Sequence, residues 1–243
     1  MSGHSKWANI KRKKEAKDKV KGNIFTKMSR LITIAVIEGG GVSDENINVK
    51  LRLAIDQAKK ANMPKDTIKR AIEKGTGPNK LSLSEVLYEG FAPAGVALII
   101  LAATDNQNRT LANIRVVCDR NGGKLGGKGS VSYFFKKCGL ITFLKEKVNE
   151  DDVFIVSEKL NAIDINQDKD FFYVYIPFEE LGRIQQEVSF PHESAELDYK
   201  PSSYIKVNDE KQAQKILSLI QKLEELDDVQ QVFSNFDIYR SNI

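Results

Sequence analysis

Residues that support catalysis and metal binding are scarce in this sequence. Its 243 residues include two histidines, two cysteines and one tryptophan. Cys118 and Cys138 show neither the spacing of a zinc site nor that of a disulfide framework. We expect both thiols to be buried and reduced, which favours a cytoplasmic protein that binds no metal.

The two histidines do not complete a catalytic set. His4 lies in a basic segment, and His192 follows a proline in a turn-like context where a solvent-exposed loop side chain is expected. No Ser/His/Asp or Cys/His combination can be assembled. The paired carboxylates are adjacent in sequence, so on a helix they point in different directions. The sequence therefore predicts a protein that is not an enzyme and that requires no cofactor.

Long apolar runs are missing as well. No segment approaches the ~20 apolar residues needed to cross a bilayer. The charged N-terminus is not followed by the apolar segment of a secretory signal. With 41% hydrophobic residues, the composition is typical of a globular protein. We therefore predict neither a membrane partner nor a small-molecule substrate.

The charge that is present is distributed unevenly. The net charge is only +4, but residues 1–80 carry 19 Lys and Arg against 8 Asp and Glu, a net charge of +11. Residues 81–243 carry 18 against 25, a net charge of −7. This asymmetry predicts that the N-terminal third faces a polyanion and that the acidic remainder of the chain does not.

The positive charge is densest in residues 2–30, which we call the basic segment. It contains ten Lys and Arg against two acidic residues, and Trp7 offers a ring on which a base can stack. A solvated basic tail without a partner is the alternative interpretation. The candidate nucleic-acid contacts in this segment are His4, Lys6, Trp7, Lys11, Arg12, Lys13, Lys14, Lys17, Lys19, Lys21, Lys27 and Arg30.

Amphipathic helices are predicted to follow the first part of the basic segment. Apolar residues recur at helical spacing from Ile24 to Val36, and the glycines at 39–41 are expected to end this helix. Ser43 or Asp44 is expected to cap a second helix. Its predicted buried face consists of Leu51, Ala54, Ile55 and Ala58.

A third helix completes a predicted N-terminal domain at residues 1–78. Pro64 suits its first turn, and Gly75 is expected to stop it. The cations of the second and third helices either extend the positive surface or belong to ordinary solvated helix faces. They are Lys59, Lys60, Lys65, Lys69, Arg70 and Lys74.

Two α+β domains are predicted after this bundle. Residues 81–121 supply only two strands and one helix, too few for a balanced domain. The helix predicted at 209–226 and the strand predicted at 229–235 complete them. Residues 131–204 show the β-α-β-β-α-β order of a ferredoxin-like unit. The predicted fold class is therefore α+β: an N-terminal three-helix domain followed by two α+β (ferredoxin-like) domains. The third domain (131–204) is inserted in the second (79–130 and 205–243).

A glycine-rich stretch, GGKLGGKGS at 122–130, resembles the phosphate loop of nucleotide hydrolases. Gly129 occupies the Ser/Thr position of that motif, and a helix precedes the loop where the motif needs a strand, so nucleotide hydrolysis is not expected. Backbone amides here, with Lys124 and Lys128, form a candidate second contact with phosphates. Arg109 and Arg120, on the outer stripe of the preceding helix, join this set. The alternative is a flexible connection between two folded units.

Several motifs together resemble the YebC-type family. The resemblance implies a three-domain fold with the third domain inserted in the second. Members of the family are usually described as cytoplasmic, DNA-binding, probable transcriptional regulators, so the resemblance implies that function here. Mitochondrial relatives are regarded as translational activators, and bacterial relatives are linked to ribosomes that translate proline-rich stretches. The motifs are GHSKW (3–7), AxxANMPKDxIxRAI (58–72), YEGFAPxGVAL (88–98), TDNxNRT (104–110) and RxxxxxNGGxLGxxGSVSYxF (115–135).

The resemblance assigns the nucleic-acid contact to GHSKW and the basic segment, and a second contact to TDNQNRT and the glycine-rich stretch. Ala8 and Arg12 stand where some members carry a histidine or another polar residue. Three functions stay open. They are a DNA-binding transcriptional regulator, an RNA- or ribosome-binding translation factor for proline-rich stretches, and a protein–protein adaptor that uses the acidic domains.

Overall fold

The computed structural model describes residues 21–76 and 82–238. The candidates His4, Lys6, Trp7, Lys11, Arg12, Lys13, Lys14, Lys17 and Lys19 lie outside the described residues, and Lys21 is the first residue of the first described helix.

The described residues form α-helices and β-strands in three groups. The helices are α1 (Lys21–Glu38), α2 (Val49–Lys60), α3 (Lys65–Thr76), α4 (Gln107–Arg120), α5 (Glu150–Lys159), α6 (Ile184–Glu187) and α7 (Glu210–Glu224). The strands are β1 (Ser84–Phe91), β2 (Ala97–Thr104), β3 (Lys124–Leu125), β4 (Phe135–Leu144), β5 (Asp164–Gln167), β6 (Phe171–Pro177), β7 (Ser194–Pro201), β8 (Ile205–Val207), β9 (Val229–Ser234) and β10 (Phe236–Ile238).

Helices α1, α2 and α3 pack around one apolar cluster, as their periodicity predicts. The predicted inner face of α2 is buried in this cluster together with Ile32 and Val36 of α1. Gly40 and Gly41 follow α1 with φ values of 69° and 89°, which glycine adopts without steric cost. The predicted end of the first helix is therefore confirmed.

The predicted cap of α2 is wrong. Asn48 caps this helix: its side-chain oxygen accepts the Leu51 N–H at 3.0 Å, and its side-chain amide donates to the Ala35 carbonyl at 2.8 Å. Asp44 instead accepts the Asn46 N–H within the preceding turn. Asn48 is favoured because one side chain satisfies the start of α2 and also binds it to α1.

Gly75 does not stop α3, contrary to prediction. It is buried within the helix, which continues to Thr76. A Cβ at this position would lie 2.7 Å from the Cβ of Val36 and 2.9 Å from the Thr33 carbonyl oxygen. Glycine is needed here because α1 and α3 approach each other too closely for a side chain.

The second group is a four-stranded sheet with the order β3-β1-β2-β9, covered on one face by α4 and α7. Strand β9 pairs antiparallel with β2, with Phe233 opposite Ile99. The sheet therefore combines segments from both sides of the third group, and the insertion in the predicted fold class is confirmed. The numerical domain boundaries stay predictions. The glycine-rich stretch also contains a strand that was not predicted, β3.

The third group is a sheet with the order β5-β6-β4-β7, all neighbours antiparallel. This order and the positions of α5 and α6 match a ferredoxin-like unit. The second helix of the predicted β-α-β-β-α-β order is mostly not an α-helix. A 3-10 helix at Phe178–Arg183 precedes the four-residue α6.

The two sheet domains share an apolar interface. Every residue of β2 is buried, and its Ala97, Ile99 and Leu101 pack in one cluster with Tyr199 of β7 and Phe135 of β4. Helices α4 and α7 cover the opposite face of the second-domain sheet. The second domain therefore has one face against its helices and one against the inserted domain.

Candidate nucleic-acid interface

Cations of α1 connect the helical domain to the second domain. Arg30 forms an ion pair with Asp228, just before β9, and donates to the carbonyl oxygens of Asp227 at 2.9 Å and Ala103 at 3.2 Å. Lys27 donates to the carbonyl of Glu224 at the end of α7. These two predicted nucleic-acid contacts are therefore part of a domain interface.

Asp228 is the centre of this interface. It is 7% exposed and also accepts hydrogen bonds from the Thr110 hydroxyl at 2.6 Å and from Arg109 at 3.3 Å. Burial alone raises the pKa of Asp228, but the Thr110 hydrogen bond and the ion pair with Arg30 outweigh it, so the pKa lies below its usual value. The carboxylate is therefore charged at neutral pH and holds two arginines together.

Arg109, a predicted contact on α4, has a second acidic partner. Its guanidinium lies 2.5 Å from Asp105, four residues earlier, in addition to Asp228. The structure thus brings Lys27, Arg30 and Arg109 together, but around carbonyls and a buried carboxylate. A nucleic acid would have to compete with these partners to reach them.

Helix α2 uses its cations in the same way towards the inserted domain. Lys60 donates to the carbonyl of Glu193 at 2.6 Å and to that of His192 at 3.2 Å, and Arg52 donates to Gly182 at 3.2 Å. Burial is the main cause that lowers the pKa of Lys60. The face of α2 that carries these cations is consequently a domain interface.

Helix α3 presents its cations to solvent. Lys65, Lys69, Arg70 and Lys74 are exposed, and within the described part of the chain none of them forms an ion pair. Lys65 and Lys69 form one pair at four-residue spacing, and Arg70 and Lys74 form another. The carboxylates Asp66 and Glu73 lie between the two pairs on the helix surface.

The glycine-rich stretch is organised by a buried carboxylate that the sequence analysis missed. Glu89 of β1 is 7% exposed and accepts the N–H groups of Gly129, Val131 and Ser132 at 2.7, 2.6 and 2.8 Å. Burial raises the pKa of Glu89, but these hydrogen bonds together lower it by more than burial raises it. The pKa therefore lies below its usual value. Of the amides at 122–130 that were predicted to approach a phosphate, that of Gly129 is therefore occupied by an anion from the protein itself.

The remaining predicted contacts lie near this stretch. Lys124 in β3, Lys128 in the loop and Arg120 at the end of α4 are all exposed. Within the described residues, none of the three forms an ion pair with a carboxylate. They are separate from the interface around Asp228 and remain accessible to a polyanion.

The groups most often used in catalysis are engaged in packing. Cys118 and Cys138 are buried free thiols, as predicted, and burial raises the pKa of Cys118 to about 11. The expectation of a solvated His192 is wrong: the ring is half-buried, 6.3 Å from that of Phe143, because Lys60 of α2 packs over its loop. Burial first, and then Lys60, lower the pKa of His192.

The described residues contain neither a cluster of metal ligands nor a membrane-spanning helix. Within residues 21–76 and 82–238, three or more His, Cys, Asp or Glu side chains do not gather in an arrangement suited to a metal ion. Among the described helices, none combines the length and the apolar composition that a bilayer span requires.

Comparison with known proteins places both parts of the chain in one family. A family model described as "TACO1/YebC protein N-terminal domain" matches residues 5–78, and one described as "TACO1/YebC second and third domain" matches residues 83–236.

Full-length relatives and a solved structure agree with these matches. A "probable transcriptional regulatory protein" of Fusobacterium nucleatum is 43% identical over 242 residues, which are 98% of this chain and 96% of the relative. A protein of Aquifex aeolicus with the same description is also 43% identical, with coverage of 98% and 96%. The crystal structure of a conserved hypothetical protein from Aquifex aeolicus is 40% identical, covers 93% of each chain and superposes with a TM-score of 0.84.

Proposed function

Because the chain belongs to the TACO1/YebC family, we propose that it is a nucleic-acid-binding regulator of gene expression. The observation that carries this proposal is the charge asymmetry, +11 in residues 1–80 against −7 in residues 81–243. Lys and Arg at such density bind phosphates and release counterions. The buried thiols support a location in the reducing cytoplasm.

The described cations fall into two groups: those that hold the domains together and those that are exposed and free to bind a nucleic acid. Lys27, Arg30, Arg52, Lys60 and Arg109 hold the domains together. Residues 2–20 of the basic segment and the exposed cations of α3 are left as the main binding surface, with Arg120, Lys124 and Lys128 as a separate exposed set. The inserted domain (131–204) is acidic, with 14 Asp and Glu against 8 Lys and Arg, and it contacts α2 through Gly182 and Glu193.

The first candidate target is duplex DNA, with the protein as a transcriptional regulator. Its support is that the relatives from Fusobacterium nucleatum and Aquifex aeolicus are both described as probable transcriptional regulatory proteins. In this candidate the basic segment, with Trp7, provides most contacts to the phosphate backbone.

The second candidate target is RNA, including ribosomal RNA, with the protein as a translation factor for proline-rich stretches. One observation favours it. Asp66 and Glu73 share the exposed face of α3 with its four cations. Carboxylates on that face would meet phosphates if α3 entered the major groove of duplex DNA as a recognition helix. A segment that follows the irregular surface of a folded RNA does not face this restriction.

Deletion of residues 2–20 tests the proposal, because α1 begins at Lys21 and stays intact. We expect the deletion to remove most of the nucleic-acid affinity and to flatten the dependence of affinity on salt. A variant with the cations of 2–20 replaced by glutamine and Trp7 retained is the matched control for length and separates charge from stacking. An unchanged salt slope in the deletion variant rejects the basic segment as the contact.

A comparison of two assays at matched salt decides between the targets. Co-sedimentation with ribosomes without a duplex-DNA mobility shift supports the RNA candidate, and the reverse result supports the DNA candidate. Binding to neither leaves the protein–protein adaptor as the better description.

A further inference from the structure

An exposed aromatic ring follows directly after the glycine-rich stretch. Tyr133 lies in a 3-10 turn, Ser132–Phe134, between that stretch and β4, and it is 68% exposed. Its ring lies against that of Phe134, with centroids 4.1 Å apart and planes inclined by 40°. One face of the tyrosine ring is thus supported by a neighbour while the residue as a whole stays open to solvent.

The backbone around Tyr133 is held in place on both sides. Val131 is fully buried and Phe135 is 9% exposed in the cluster between the two sheet domains. The N–H groups of Val131 and Ser132 donate to Glu89, and the carbonyl of Phe134 accepts the Ser202 N–H at 2.7 Å. An exposed ring on a fixed turn loses little conformational entropy when a ligand stacks on it.

The chain around this ring is cationic throughout. Residues 120–145 include six Lys and Arg and no Asp or Glu. Glu89 of β1 reaches into this region, and its charge is turned inward, onto the backbone amides. Lys124, Lys128 and Lys136 within this stretch are exposed, and none of them has an ion-pair partner among the residues that the structure describes.

We propose that Tyr133, Lys124 and Lys128 form a second nucleic-acid site that takes a single-stranded segment. An unpaired base stacks on the Tyr133 ring, and the lysine side chains bind the flanking phosphates. Base stacking on an aromatic side chain tolerates every base, because each base has a π-face. Paired bases in a duplex are already stacked on each other and do not offer that face. This inference rests on the proposed function and adds a ligand class to it.

The chemistry separates this site from a phosphate loop. In a phosphate loop the backbone amides bind the anion, whereas here Glu89 accepts the amide of Gly129 in the stretch and those of Val131 and Ser132 just after it. The phosphate contacts are therefore assigned to lysine side chains. An apolar protein surface suits the site poorly, since exposed lysines lie on both sides of the ring in sequence.

The test measures binding of the full chain to three probes at matched salt by fluorescence anisotropy. The probes are a 12-nucleotide RNA, the single-stranded DNA of the same sequence, and the corresponding duplex DNA. The variants are Tyr133→Ala, Tyr133→Phe and the double variant Lys124→Gln/Lys128→Gln. Because all three side chains are exposed, thermal unfolding of each variant is expected to match that of the original protein.

We expect Tyr133→Ala to weaken binding of the single-stranded probes about tenfold, with an unchanged salt slope and unchanged duplex binding. Tyr133→Phe keeps the ring and should bind as the original protein does. The double lysine variant should lower the magnitude of the single-strand salt slope by about 1.4, roughly 0.7 for each contact. If Tyr133→Ala loses the same affinity for RNA as for single-stranded DNA, the group that stacks on the ring is the unpaired base, and the sugar does not contribute.

Two outcomes overturn the inference while the proposed function stands. In the first, Tyr133→Ala binds the single-stranded probes as tightly as the original protein does. In the second, Tyr133→Ala loses as much affinity for duplex DNA as for the single-stranded probes. The original protein binding none of the three probes overturns the proposed function and this inference with it.

Discussion

Arg30 of α1 forms an ion pair with Asp228, which lies 198 positions later in the chain and immediately before β9. The same carboxylate binds Thr110 and Arg109 of α4. One acidic side chain therefore connects the helical domain to two elements of the second domain. Cations that sequence patterns assign to a nucleic acid have a structural partner instead.

Replacement of Asp228 by alanine should destabilise the protein. The change removes the carboxylate that Arg30, Arg109 and Thr110 share in a partly buried interface, which costs about 1–3 kcal/mol. Urea unfolding monitored by circular dichroism measures the loss. Asp227→Asn is the matched control, because Asp227 is exposed and contributes its carbonyl rather than its side chain. Equal stability of the Asp228→Ala and Asp227→Asn variants would contradict a structural role for the ion pair.

Replacement of Glu89 by glutamine should loosen the glycine-rich stretch. One carboxylate oxygen becomes an NH₂ group that faces N–H donors, so we expect a loss of about 1–3 kcal/mol. Hydrogen exchange of the amides of Gly129, Val131 and Ser132 should become faster. Unchanged protection of these amides would show that the stretch is held by other contacts.

The same residue predicts a pH dependence. The pKa of Glu89 is lower in the folded protein than in the unfolded chain. The Glu89 carboxylate therefore stabilises the fold fully at pH values above its unfolded-state pKa, and this stabilisation is lost as the pH falls through its folded-state pKa. Glu85, on the same strand, is the control with the opposite sign. Burial raises its pKa more than Lys50 lowers it, so Glu85→Gln should not remove stability at neutral pH. A stability–pH curve for Glu89→Gln as steep in acid as that of the original protein would count against this assignment.

Replacement of Gly75 by alanine should destabilise the helical domain, although alanine favours helix by about 1 kcal/mol. The added Cβ would overlap Val36, and such overpacking costs about 1–3 kcal/mol. A double-mutant cycle with Val36→Gly, which removes both Val36 atoms that the new Cβ would meet, should show that the two changes together cost less than the sum of each alone. Gly127→Ala, whose Cβ would meet no atom within 4 Å, is the control. A stabilised Gly75→Ala variant would mean that the two helices can move apart.

Neutralisation of two cations on α3 should weaken nucleic-acid binding without affecting stability. The double variant Lys65→Gln/Lys69→Gln removes up to two phosphate contacts, each worth roughly 0.9 in the salt slope for duplex DNA. Lys159→Gln/Lys169→Gln makes the same change on exposed residues of the acidic inserted domain and should leave binding unaltered. If the two double variants behave alike, α3 is not part of the binding surface.

The periodic and local features of the fold were predictable. Apolar spacing located α1 and the buried face of α2, and alternating strands with turn residues located the two sheets. The cap of α4 is equally local: the Asn106 side chain accepts the Arg109 N–H at 3.0 Å. Such signals are readable because the residues that decide them lie within one or two turns of each other.

The positions that sequence reasoning misjudged depend on neighbours that are distant in sequence. A glycine at the end of a helical pattern is usually a stop signal, but Gly75 is required by Val36 of another helix. A carboxylate inside a strand gives no sign that it will bind the amides of residues 40 positions later, as Glu89 does.

Charge shows the same division between sequence and structure. The sequence by itself determined that this protein concentrates cations in its N-terminal third, because the net charge of a segment depends only on its composition. Only the tertiary structure decided which of those cations are accessible: α3 leaves its four in solvent, whereas Arg30 is bound by Asp228 and Lys60 by the carbonyls of another domain. The physical reason is that a cation's partner is set by proximity in the folded state, and folding alone brings residues 198 positions apart into contact.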